Sequence, residues 1–182
     1  MGKAKELFSW VKAIAIAIIL AFVIRTYIFA PIVVDGESMM PTLLDRERII
    51  LNKFGTDIEN IDRFDVVVFH ATEERDYIKR VIGLPGDHIE YKEDTLYING
   101  KAYEEPYLDE YKAELGGELL TENFTLEEIT GGTTVPEGKL FLMGDNRRNS
   151  LDSREIGTVS VDEIVGKANF VYWPVDEIKF VK

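Results

Sequence analysis

An uncharged apolar run, AIAIAIILAFVI, occupies residues 13–24 near the start of this 182-residue chain. Alone it is shorter than the roughly 20 residues that an α-helix needs to cross a bilayer. Further apolar residues flank the run, and Lys12 and Arg25 near its two ends can extend their charged groups to the lipid headgroups. The pattern predicts a transmembrane helix over residues 9–29, so we expect this part of the chain to lie in a membrane.

This segment is predicted to be a retained anchor rather than a cleaved leader. A cut after Ala30 would place Ile28 at the third position before it, where a small residue is required. Basic residues before the run hold residues 1–8 in the cytoplasm by the positive-inside rule, which leaves residues 30–182 outside as one domain. An amphipathic surface helix is the alternative, but the run is apolar on all its sides.

The composition excludes several classes of site. The chain has no cysteine, so it has no disulfide, thiolate metal site or cysteine nucleophile. It has two histidines, His70 and His88, which excludes a zinc site built on several histidines and leaves few candidates for a Ser-His-Asp triad. Of 33 acidic and 21 basic residues, only one acidic but four basic residues lie within residues 1–25. The strongly acidic remainder argues against nucleic-acid binding.

The body of the chain predicts a mainly β domain with antiparallel strands. Short segments rich in β-branched and aromatic residues alternate with turns, and Asn99-Gly100 marks a tight type I′ hairpin. Residues 104–134 are acidic and weakly periodic, which indicates loops with one possible strand, and residues 161–165 suggest a helical turn. The predicted strands are residues 32–34, 48–52, 65–70, 76–82, 88–91, 96–98, 101–103, 139–143 and 167–172.

Two residues in this body carry candidate chemistry. Ser38 lies in a Gly- and Pro-containing turn after a strand, where it can expose its Oγ and N–H together, although most such serines are ordinary turn residues. Lys79 and Arg80 point to opposite faces of the predicted strand 76–82, so one of them enters an interior or a cleft if both faces are covered. A buried lysine can lose its proton near neutral pH, which makes Lys79 a candidate general base; a solvent-facing lysine on an edge strand is the alternative.

Three segments together carry a resemblance to a known family. They are SMMPTL at residues 38–43, YIKRVIGLPGD at residues 77–87 and the polar segment GDNRRNSLDSR at residues 144–154. In this order, behind an N-terminal anchor, they resemble the three signature boxes of bacterial type I signal peptidases (leader peptidases), in the compact single-anchor form. The resemblance covers essentially the whole chain, although residues 101–137 match only as a short variable excursion.

The resemblance implies a serine peptidase in which Ser38 is the nucleophile and Lys79 the general base, with no metal or cofactor. Ser150 would orient the Lys79 amine through a hydrogen bond, and the Ser38 N–H would supply one oxyanion donor. At Gly36 some members carry a serine whose hydroxyl is a second donor. Asp145 would pair with Arg80, while Asp152 and Arg154 would hold the active-site loop. Substrate-contacting positions, several of which would equally suit a core, are Ile32, Val34, Gly36, Met39, Leu43, Tyr77 and Ile78.

The implied fold is an antiparallel β-barrel or sandwich of the signal-peptidase (LexA-like) type behind one transmembrane helix. The implied reaction removes signal peptides from secretory preproteins after small residues, at the outer surface of the lipid bilayer and near the protein export machinery. Two alternative functions fit the sequence less well. A self-cleaving regulator of the repressor type would need a DNA-binding region, and a membrane-tethered adaptor without activity would not need Ser38, Lys79 and Ser150 intact.

Overall fold

The structure is a computed structural model that describes residues 2–27, 29–53 and 58–181, with side chains described from residue 6 to 22 in the first of these ranges. The first element is helix α1, Gly2–Tyr27. Its described apolar side chains, among them Phe8, Trp10 and Phe22, are exposed to solvent on every side of the helix. They therefore contribute nothing to the core of the domain that follows.

No helix in the described part of the chain combines the length and the apolar character that a membrane span requires. The helix predicted from the apolar run is present, but its predicted role as a span over residues 9–29 is not supported by this finding. That predicted span also includes residue 28 and the side chains of residues 23–27, which lie outside the described part of the structure.

The domain after α1 consists of two antiparallel sheets. The main sheet contains β1 Phe29–Val33, β2 Arg48–Asn52, β3 Val66–Thr72, β4 Arg75–Gly83, β9 Lys139–Met143, β10 Val159–Ser160, β11 Ile164–Trp173 and β12 Lys179–Phe180. These strands have the order β1-β2-β11-β3-β4-β9-β10, with β12 paired to β11. The small sheet has the order β7-β6-β5-β8, formed by β5 Ile89–Lys92, β6 Thr95–Ile98, β7 Lys101–Tyr103 and β8 Phe124–Thr125.

Strand β4 connects the packing of the two sheets because its alternate residues face different groups of buried apolar side chains. Ile82 packs with Tyr91, Phe141 and other residues between the main sheet and the small sheet. Val81 faces the opposite side and packs with Val67 and its neighbours. This period-two alternation places the two central cations of β4 on opposite faces, as the sequence predicted.

The mainly antiparallel β class is confirmed, and so is the hairpin at Asn99-Gly100, where both residues have positive φ. The excursion at residues 104–134 differs from its prediction, because it contains helices α2, Asp109–Glu114, and α3, Leu126–Thr130, as well as β8. Helix α3 begins with a capping box in which Thr125 Oγ1 accepts from the Glu128 N–H. The predicted helical turn is a 3₁₀ turn, Val161–Glu163, and a short helix α4, Ser153–Ile156, follows β9.

Candidate active site

The turn at residues 36–42, which follows β1 and which we call the nucleophile turn after its predicted nucleophile, presents Ser38 to a cleft. Gly36 has a φ of +96°, a conformation that glycine adopts without strain, and its N–H donates to Asp45 Oδ1 at 2.8 Å. The carbonyl of Ser38 accepts from the Asn146 N–H at 3.0 Å. Within the described part of the chain the Ser38 N–H donates to no acceptor, so it remains free to bind an oxyanion. The Gly36 N–H, in contrast, is already used by Asp45.

Strand β4 carries the Lys79 amine to this turn. Lys79 Nζ lies 2.7 Å from Ser38 Oγ, and the residue is only 3% exposed. Burial lowers the pKa of Lys79 from about 10.5 to about 8, although the charges of Asp152 and Asp145 act in the opposite direction. About one-tenth of the amine is therefore neutral at pH 7, and a neutral amine at this distance can accept the proton of the serine hydroxyl.

On the opposite face of β4, Arg80 forms a fully buried ion pair with Asp145. Its Nε and Nη2 atoms donate to the two carboxylate oxygens at 2.9 Å and 2.6 Å, which is a bidentate arrangement. Thr42 adds a third contact, since its hydroxyl donates to Asp145 Oδ2 at 2.5 Å. Thr42 lies in the nucleophile turn. The cluster of Thr42, Arg80 and Asp145 therefore joins that turn to β4 and to the segment that follows β9.

We define the active-site loop as residues 144–152. Its end is held by Asp152, whose carboxylate accepts two bonds of 2.9 Å from Arg154 and one of 2.9 Å from the Gly144 N–H. Burial opposes ionisation of Asp152, but these donors outweigh it and keep its pKa below the usual range. Asp152 also caps α4 by accepting from the Arg154 N–H. The two ends of the active-site loop are therefore joined through one carboxylate.

Ser150 is placed inside this loop, next to Gly144. A methyl group at Gly144 would collide with Ser150 Oγ and with the carbonyl oxygen of Ser38, so only glycine fits there. The predicted hydrogen bond from Ser150 to Lys79 is not formed; the buried Ser150 Oγ instead lies close enough to Asp152 to help lower the pKa of that carboxyl group. The hydroxyl is near the nucleophile turn, but its orienting role stays a prediction.

The cleft beside Ser38 has a volume of about 350 Å³ and lies between two strand edges. Strand β1 pairs only with β2, and the first half of β4 pairs only with β3, since β9 joins β4 from Arg80 onward. Of the predicted substrate-contacting residues, six line the cleft, namely Ile32, Val34, Gly36, Met39, Tyr77 and Ile78. Leu43 does not line it: its side chain is fully buried in the core beneath the nucleophile turn.

Several site residues were missed at the level of sequence. Asp35, Glu37 and Asp76 form an acidic rim around the cleft, and Asn149 and Leu151 of the active-site loop cover one side of it. The side-chain alternation along β4 and the position of the nucleophile turn could have indicated, from the sequence alone, that the rim residues lie close to Ser38. A loop residue such as Leu151, which is half exposed, carried no signal, because its contact with the cleft depends on how the loop folds back.

A buried lysine amine bonded to a serine hydroxyl at a sheet edge is an arrangement typical of serine peptidases that use lysine as the base. In a comparison with known families, residues 7–173 match the model described as "Signal peptidase, peptidase S26". The chain therefore belongs to the signal peptidase family of S26 peptidases. The family resemblance and the prediction of a peptidase are both confirmed.

Individual relatives agree with this assignment. The chain is 52% identical to signal peptidase I of Bacillus caldolyticus over 178 residues, which covers 98% of this chain and 97% of the relative. It is 43% identical to signal peptidase IB of Staphylococcus aureus strain MRSA252 over 180 residues, which covers 97% and 94%. A crystal structure of a signal peptidase I from Enterococcus faecalis V583 is 44% identical, with a TM-score of 0.56, and covers 59% of this chain and 95% of that one.

Proposed function

We propose that this protein is a serine endopeptidase that removes N-terminal signal peptides from exported preproteins, with Ser38 as nucleophile and Lys79 as general base. The observation that carries the proposal is the 2.7 Å separation of Lys79 Nζ and Ser38 Oγ. The lowered pKa of Lys79, caused by burial, supports it, because an amine with a pKa of about 8 can act as a base under physiological conditions.

The chemistry follows from these two groups. Lys79 takes the proton of Ser38 Oγ as that oxygen bonds to the carbonyl carbon before the cut, and the Ser38 N–H donates to the oxyanion. The C–N bond then breaks, and the Lys79 ammonium returns the proton to the leaving amine. In the second half, Lys79 deprotonates a water that attacks the acyl ester, which releases the peptide carboxylate and restores the Ser38 hydroxyl.

The supporting residues have defined places in this scheme. The ion pairs of Arg80 with Asp145 and of Arg154 with Asp152 fix the start and the end of the active-site loop. We propose that Ser150, whose buried hydroxyl lies beside Gly144 and near the Asp152 carboxylate, orients the Lys79 amine when substrate is bound. Because the Gly36 N–H is bonded to Asp45, a second oxyanion donor has to come from another group or from water.

The substrate is proposed to bind as an added strand. The free edges of β1 and of the first half of β4 face the cleft, so an extended peptide can hydrogen-bond to both. Alternate side chains of such a peptide would face Val34, Met39 and Ile78, of which Val34 and Met39 are buried and Ile78 is half-buried. Pockets with so little free space suit small residues at the first and third positions before the cut.

Membrane tethering through α1 is also part of the proposal. Its supports are the apolar run in the sequence, the exposure of its apolar side chains, and the basic residues that precede it. Only ten residues separate the end of α1 at Tyr27 from Ser38, so a tethered enzyme would act close to the lipid surface. We place the N-terminus in the cytoplasm and the catalytic domain outside, beside the export machinery.

Two experiments test these claims. Incubation of the full chain in detergent with a preprotein should yield the mature product, and Ser38→Ala and Lys79→Met should both abolish it, whereas the exposed Lys101→Met should not. Cleavage by Ser38→Ala would overturn the assignment of the nucleophile.

For the tether, membranes washed at alkaline pH should retain the protein, and added protease should degrade the catalytic domain only from the outer side. Full release by the wash would exclude an anchor.

A further inference from the structure

A second buried ion pair lies behind the active-site loop and joins it to the small sheet. Arg147 of the loop is 2% exposed, and its Nη2 atom lies 2.5 Å from Glu105 Oε1. Its Nη1 atom donates to Tyr91 Oη at 2.8 Å and to Thr121 Oγ1 at 3.1 Å, while its Nε donates to the Gly144 carbonyl at 3.1 Å. One loop arginine is thus held by three residues outside the main sheet.

Glu105 is the centre of this cluster. Its Oε1 atom accepts from the hydroxyls of Tyr91 and Tyr107 at 2.8 Å and 2.6 Å, in addition to Arg147, and its Oε2 atom is buried without a described partner. Burial raises the pKa of both phenols, so each remains a neutral donor. Placing a carboxylate here has a desolvation cost that the three donors to one oxygen offset.

Tyr107 connects this cluster to the other buried arginine. The Arg80 guanidinium carbon lies 3.8 Å from the centre of the Tyr107 ring, in a cation–π arrangement, while the Tyr107 hydroxyl bonds to Glu105. Residues 105–107 therefore contact two of the three arginines that hold the active-site loop, Arg80 through Asp145 and Arg147 through Gly144.

A displacement of Arg147 would be transmitted to Ser38 through Gly144. Its Nε holds the Gly144 carbonyl, and Gly144 packs so tightly against Ser150 and the Ser38 carbonyl that no larger residue fits. Two residues on, the Asn146 N–H donates to the same Ser38 carbonyl. The chain of contacts from Glu105 to Ser38 is continuous, and each step is a hydrogen bond or a close packing contact.

We propose that Glu105 and Tyr107, which lie outside the three signature segments, are positioning residues that hold the active-site loop in its catalytic geometry before substrate binds. The inference rests on the proposed function, because it takes Ser38 as the nucleophile. Its physical basis is that catalytic groups displaced by even about 1 Å lose much of their rate advantage. A purely structural role, in which the cluster only joins the two sheets, is the alternative.

The test measures kcat, KM and Tm of the full chain in detergent with one preprotein. Tyr107→Phe removes a hydroxyl and keeps the ring beneath Arg80; we expect kcat to fall about fivefold with KM and Tm little changed, since only the orientation of Glu105 is loosened. Glu105→Gln should lower kcat by about tenfold or more, with a lower Tm because Arg147 loses its charged partner. Ile98→Val, a buried truncation in the small sheet, is the matched control; it should lower Tm and leave kcat unchanged.

A double variant separates positioning from stability. Glu105→Leu combined with Arg147→Met replaces the buried pair with apolar residues of similar volume, which should raise Tm above that of Glu105→Gln because no buried charge is left unpaired, although the Tyr91 and Tyr107 hydroxyls lose their acceptor. Positioning predicts that kcat stays low in this variant, because nothing then holds the Gly144 carbonyl. A wild-type kcat in the double variant, or in Tyr107→Phe, would overturn the inference. Equal activity of Ser38→Ala and wild type would instead overturn the proposed function.

Discussion

The two faces of β4 carry adjacent cations that are treated in opposite ways. Arg80 meets Asp145 in a bidentate pair with both side chains fully buried, so its positive charge is neutralised. Among the described residues, Lys79, one residue earlier, meets only the hydroxyl of Ser38 within hydrogen-bond distance, and the nearby carboxylates act on it without direct contact. Strand β4 thus holds Arg80 as a charged, ion-paired residue, whereas burial shifts Lys79 toward its neutral form.

The difference shows that burial alone does not define the function of a cation. A buried charge with a bonded carboxylate is stable, and breaking the pair is expensive. A buried amine without such a partner shifts its pKa instead. Because arginine keeps its proton under all physiological conditions, only the lysine face of β4 can perform proton transfer.

The largest expected effect is on activity at the lysine face. Lys79→Met should lower kcat/KM by about 10³-fold or more, since no other base in the described part of the chain is bonded to Ser38 Oγ. Its Tm should stay equal or rise, because a desolvated amine is replaced by an apolar chain of similar length. Parallel cleavage assays and thermal unfolding check both parts, with Lys101→Met as a surface control. A large loss of Tm would show that Lys79 is a structural cation like Arg80.

The arginine face should respond in the opposite sense. Asp145→Asn removes the carboxylate that neutralises the buried Arg80 charge, which is expected to reduce the free energy of unfolding by about 3–5 kcal/mol. Activity should also fall, because Asp145 accepts a bond from Thr42 of the nucleophile turn. Chemical denaturation measures the stability change. Unchanged stability would mean that the pair is not what holds this face.

The pH dependence should follow the neutral fraction of Lys79. With a pKa of about 8, roughly one-tenth of the amine is neutral at pH 7. Since the neutral form is the active one, kcat/KM should rise about tenfold per pH unit below the pKa and level off above it. A rate profile measured between about pH 5.5 and 9.5 checks this. A profile that is flat across this range would contradict a lysine base.

The smallest effect is expected at an exposed pair. Arg148 and Glu118 form an ion pair at 3.1 Å with both side chains largely solvated. Glu118→Gln should change the free energy of unfolding by less than about 1 kcal/mol and leave kcat unchanged. Denaturant unfolding in low and high salt checks this. A change as large as that of Asp145→Asn would remove the contrast between buried and exposed pairs.

Part of this picture was accessible from the sequence. The alternation along residues 76–82 separates Lys79 from Arg80 without any structure, and the Asn99-Gly100 turn defines its hairpin. Such features are local, since they depend on the strand period and on turn residues. The same alternation made Lys79 a candidate base, whereas the predicted role of Ser38 came mainly from the family resemblance, because nothing local distinguishes a nucleophile from a turn serine.

Other parts required the folded chain. Glu105 and Arg147 are 42 residues apart and meet only because the small sheet packs behind the active-site loop. Leu43 follows the nucleophile turn, yet its side chain enters the core rather than the cleft. Ser150 lies beside Gly144 without the predicted bond to Lys79. Each outcome depends on long-range packing, which neither periodicity nor motif spacing specifies.

The central claim is that the Lys79 amine is neutral enough to act as a base, and its titration tests this most directly. Full-length protein in detergent, with lysine labelled at the carbon next to the amine, would be titrated by NMR, and the Lys79 signal identified by its loss in Lys79→Met. The account predicts a midpoint near 8, well below the ordinary 10.5. A midpoint at the ordinary value would contradict it.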